Sequence, residues 1–109
     1  MAEKLSADKI TYTHPLFMNP GDIPGMILIL VKLTGSENYG MWSKSMQIAL
    51  MAKRKLGFVT GTCKRESFEA ELHEQWDTCN ATVLSWIMNT ISVDLLCGIV
   101  YASDSYADW

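Results

Sequence analysis

Two histidines and three cysteines are the residues of this 109-residue chain best suited to acid–base, nucleophilic or metal chemistry. A hydrolase needs a nucleophile within hydrogen-bond reach of a base, and a third group to orient that base. His14 stands before Pro15 in a turn-rich stretch, and His73 lies between Leu72 and Glu74. Cys79 with His73 is the one arithmetic dyad, but on a helix their spacing turns them to different faces. Ser85 lacks GxSxG surroundings, and the chain holds no Gly-rich phosphate loop with its lysine, no HExxH and no EF-hand loop. Zinc sites gather ligands at short spacing, whereas Cys63, Cys79 and Cys97 are isolated and form no CxxC pair. The reading is therefore no enzyme, no metal and no cofactor.

Aromatic and sulfur-bearing residues invite binding readings instead. Trp42, Trp76 and Trp86, with Tyr39 and Phe58, are the right types to stack on single-stranded bases, but lack the interleaved cations such platforms use. They fall on or beside apolar helical faces, which favours core packing. A formal net charge of −3 also argues against a dedicated nucleic-acid binder. The basic clusters Lys53-Arg54-Lys55 and Lys64-Arg65 read as a solvated helix end and a polar loop, with a weak RNA contact or localisation signal as the alternative. Met41, Ile48 and Met51 fall off the main apolar face of their helix. They form a second apolar patch, either an interface for self-association or a seat for the N-terminal segment.

The elements that position these residues begin with the stretch Leu33 to Gly61. Thr34 with Glu37 fits a capping box, and Ser36 is an alternative N-cap. Tyr39, Trp42, Met46, Ala49 and Leu50 follow at helical spacing, then a basic last turn and Gly57 as a left-handed stop. Upstream, residues 1–13 are polar and read as a disordered tail, and prolines and glycines impose a non-helical path from His14 to Gly25. Met26 to Val31 is short, apolar and partly β-branched, a buried extended segment or single strand whose edge partner must be Leu16-Phe17 or another chain. Downstream, Gly57 to Ser67 reads as a loop. A second helix, capped at Ser67, spans about 67–90 with Leu72, Trp76, Cys79, Val83 and Ile87 on one face. It becomes apolar nearly all round through Leu84, Trp86, Met88 and Ile91. Ser92 and Asp94 mark a short third helix, and residues 106–109 open a fourth that ends as its apolar face begins.

Hydrophobic residues make up 49% of the chain and charged residues 19%, enough apolar material for a core. The first ten residues carry no apolar signal core. The longest apolar run is far short of the roughly 20 residues a membrane span takes. With an odd number of isolated cysteines, the expectation is a cytoplasmic domain with free thiols buried as small hydrophobes, without a membrane or small-molecule partner. Asn80-Ala81-Thr82 matches a glycosylation sequon and is read as incidental. The expected fold is mainly α, preceded by a Pro/Gly-rich extended segment with at most one or two short strands. The residues expected to hold it are Tyr39, Trp42, Met46, Leu50, Trp76, Val83, Trp86 and Ile87.

Leu33-Thr34-Gly35, Asn38-Tyr39, Trp42 and Met46 resemble the signature that opens the Gag polyprotein of Copia-type LTR retrotransposons, abundant in plants. His14-Pro15-Leu16-Phe17, Asn19-Pro20-Gly21-Asp22 and Pro24-Gly25 resemble the stretch before it, and Lys55 to Gly61, with Gly57 and Phe58, the stretch after it. Trp76, Cys79-Asn80, Val83 to Ile87, Asn89 and Ile91-Ser92 continue the likeness. Val31-Lys32 and Cys97-Gly98 depart from the family pattern without removing a functional group. The resemblance implies a Copia-like segment at 14–61 (arm plus first helix) and the start of a small helical capsid-like bundle at 62–109, cut short at its C-terminus. It implies a structural role: copies self-associate into particles that package element RNA, the RNA being held through downstream regions. Neither the zinc knuckle nor the Asp-Thr-Gly or Asp-Ser-Gly of the element's protease occurs here. The alternatives are a host-adopted or decayed Gag-derived module that no longer assembles and, more remotely, an uncharacterised enzyme.

Overall fold

Two amphipathic helices and an irregular N-terminal arm share one apolar core in the computed structural model, which describes residues 10–93 and 95. Helix α1 spans Tyr39–Ala52, a single-turn helix α2 spans Gly57–Thr60, and helix α3 spans His73–Met88. Short 3-10 turns precede them at Ser36–Asn38, Arg65–Ser67 and Ala70–Leu72. The described residues form no sheet; their one β-bridge is a parallel pair between Leu33 and Ile91.

Helix α1 buries Trp42, Met46 and Leu50, spaced so that they stack along one side. Tyr39, expected in that core, is 42% exposed and rests its ring 5.8 Å from that of Trp42. The expected capping box does not form: Gly35 and Asn38 occupy the cap positions, neither with a side-chain cap bond. Asn38 instead turns back to the arm, accepting from the Thr34 N–H through Oδ1 and donating from Nδ2 to the Lys32 carbonyl. The helix stop also differs. Arg54, not Gly57, takes the left-handed conformation (φ 61°), and the Lys55 N–H closes the turn on the Leu50 carbonyl. Gly57 is small for another reason: a Cβ there would stand 3.0 Å from Cys63 Cβ and from Thr62 Oγ1, where the chain folds back past α2.

The stretch Gly57 to Ser67 is thus not a plain loop. Helix α2 buries Phe58 and Val59 and ends at Gly61 with φ 84°. Helix α3 starts later than the expected Ser67, after the two 3-10 turns, because Phe68 and Glu69 are extended and interrupt the helical path. It buries Cys79, Val83, Trp86 and Ile87 on the inner face, with Leu84 and Met88 half-buried beside them. Trp76 is half-buried and its ring lies 5.4 Å from that of Phe58.

Met26 to Val31 forms no strand. It runs extended along the core with Met26, Leu28, Ile29 and Val31 packed inward. The core also takes Ile10 and Leu16 from the arm. The expected third helix reaches the described residues only at Val93 and Leu95; Cys97 and the expected fourth helix at 106–109 lie outside them.

Candidate functional site: an arm clasped by side chains

An arm without a sheet leaves its backbone carbonyls to find other donors, since a buried unpaired carbonyl is costly. Here the helices supply them. Gln75 Nε2 donates to the Leu16 carbonyl at 2.9 Å, and the Cys79 thiol reaches the same oxygen at 3.3 Å. Lys55 Nζ donates to the Phe17 carbonyl at 2.5 Å. Trp86 Nε1 donates to Ile23 at 2.8 Å, and Asn89 Nδ2 to Pro24 at 3.0 Å and Met26 at 3.3 Å. At the far end, Leu33 donates to the Thr90 carbonyl and accepts from the Ser92 N–H, while Trp42 Nε1 donates to Thr90 Oγ1 at 2.9 Å.

The basic cluster after α1 belongs to this clasp, which corrects its reading as a solvated end. Lys55 is 2% exposed, and Lys53 Nζ pairs at 2.7 Å with Asp22, whose side chain is 1% exposed. Burial alone would raise the Asp22 carboxyl; the Lys53 ammonium and the Asn19 amides bonded to it outweigh that and hold it below the usual carboxylate range. Burial pulls Lys55 below the usual lysine range. Nothing in the sequence marked Asp22 as the partner of a lysine so distant in the chain, though its place among turn residues signalled a bend.

Candidate chemical groups are engaged in the same way. Burial pushes the Cys79 thiol up to about 11, so near neutrality it is a protonated donor to Leu16 and not a nucleophile. His73 Nε2 bonds the Phe68 carbonyl at 3.0 Å, away from Cys79, and His14 Nδ1 accepts from the Leu16 N–H. Cys63 borders a cleft of about 410 Å³ beside Phe58 and Trp76, and burial raises its pKa as well. Among the described residues no group of three His, Cys, Asp or Glu could hold a metal ion. No helix there is long and apolar enough to cross a membrane.

Met41, Ile48 and Met51 stand outward on α1 at 61%, 59% and 61% exposure, on the side away from Trp42, Met46 and Leu50. The arm packs elsewhere, so these three are not its seat. Leu33, Gly35, Asn38, Gly57, Phe58, Trp76, Val83 and Trp86 instead serve the clasp or the core beneath it.

A mainly helical domain closed over its own arm is therefore what these residues define. The family described as Gag-polypeptide of LTR copia-type matches the chain over residues 19–65, a span that holds Asp22, the Leu33–Asn38 turn, α1, the lysine pair and α2. No curated protein and no solved structure matches the chain.

Proposed function

We propose that the chain is a structural Gag-derived domain of the Copia type, acting in the cytoplasm as one of many copies that associate into particles around element RNA. The match over residues 19–65 carries this reading. The residues behind the likeness make the clasp, so they serve a fold and leave its outer surface available. The outward face of α1, with Met41, Ile48 and Met51, is the self-association surface in this reading. Such contacts are individually weak and become strong when many copies act together. The rest of the capsid-like bundle and the grip on RNA belong to other parts of the polyprotein.

Light scattering over a wide concentration range tests the reading. A mass that climbs with concentration toward large assemblies supports it. A strict monomer at the highest concentration would replace it with a host-adopted or decayed module that binds without assembling.

A further inference from the structure

The apolar stretch in the middle of the arm has a property the clasp does not use. The backbone N–H and C=O groups of Ile27, Leu28, Ile29, Leu30 and Val31 make no hydrogen bond within the described residues. On either side the pairing is complete, with the Met26 carbonyl held by Asn89 and Leu33 bonded to Thr90 and Ser92. Leu30 is 91% exposed and Ile27 59%, although both are strong apolar residues. A row of bare donors and acceptors on an extended, β-prone, uncharged segment is the template onto which a further strand adds.

We infer that this segment is an interaction edge and that its occupant is the same segment of a second copy, paired antiparallel about Ile29. The composition favours this partner. Pairing about Ile29 sets Ile27 opposite Val31 and Leu28 opposite Leu30, all good cross-strand neighbours. No charge or proline falls between Ile27 and Val31, so no like charges oppose each other. The contact is isologous and closes as a two-fold pair, covering Leu30 and Ile27 in both copies. It is separate from the outward face of α1 and does not depend on the Gag reading.

Hydrogen exchange of the unmodified full-length chain, followed amide by amide across a dilution series, tests it. In dilute protein the amides of Ile27–Val31 should exchange freely, and on concentration alternate ones should slow by about tenfold or more. Leu30→Asp should abolish that slowing without changing the thermal midpoint, because the Leu30 side chain is almost wholly exposed in the single copy. Exchange that is fast at every concentration would overturn the proposal. So would protection already present in dilute monomer, which would mean that another part of the same chain covers the edge. Association that survives Leu30→Asp but is lost on Ile48→Glu would remove the edge and leave the α1 face standing. The reverse pattern would keep the edge and remove the α1 face.

Discussion

Asp22 shows how a single side chain fixes the arm. Its carboxylate takes the Lys53 ammonium on one oxygen and the Asn19 backbone and side-chain amides on the other. Its folded pKa lies below the unfolded value of 3.8, so its contribution is fully present above that value. As pH falls from 3.8 through the folded pKa, the unfolded chain takes up the proton first and stability is lost. Asp22→Asn should lower stability at neutral pH and flatten the acid limb of a stability–pH curve measured by urea unfolding. Cys79 works at the other end of the scale with the opposite sign. Above 9.0 the unfolded chain loses the thiol proton while the folded chain keeps it to about 11, so this contribution falls as pH rises across that window. Cys79→Ala should therefore lose less stability between those two values than the unmodified chain. Trp42 joins both halves of the core, by its buried ring and by its bond to Thr90. Trp42→Ala should cost about 3–5 kcal/mol in equilibrium unfolding, a large part of a small domain's stability.

At the scale of elements, the connection from α1 to α3 is the most tightly specified. Helix α2 is one turn long and depends on Gly57 lying against Cys63 and on Gly61 taking φ 84°. Gly57→Ala should destabilise by about 1–3 kcal/mol through overpacking, visible as a lowered thermal midpoint with little change in helix content. The two long helices were legible in the sequence because Trp42, Met46 and Leu50, and Cys79, Val83 and Ile87, repeat at helical spacing. What was not legible were partners set by tertiary contact. Asn38 reads as a cap but spends both ends of its amide on the arm, and Lys55 reads as surface yet is buried by its bond to Phe17. The start of α3 was misplaced because its apolar period continues through Leu72, while the backbone at Phe68 and Glu69 is extended. Met26 to Val31 reads as a strand from composition, but a strand needs a neighbour and none lies among the described residues.

For the whole molecule, burial and exposure divide the apolar residues into two sets with different work. The inner set, from Leu16 through Ile87, closes the core, and side-chain donors replace the sheet that would otherwise hold the arm. The outer set includes Met41, Ile48 and Met51 on α1, open to solvent in a single copy. Burying each against a neighbour is worth on the order of 1–2 kcal/mol after its partial exposure is allowed for, too little for a tight pair and suitable for a reversible lattice. The account stands on whether that face joins copies of the chain. Sedimentation of the unmodified protein beside a Met41→Glu, Ile48→Glu double variant, over the same concentrations and with matched thermal midpoints, tests this most directly. The account predicts that the unmodified chain sediments faster as concentration rises while the variant stays much closer to the monomer. Equal association by the two proteins, or none by the unmodified chain, would contradict it.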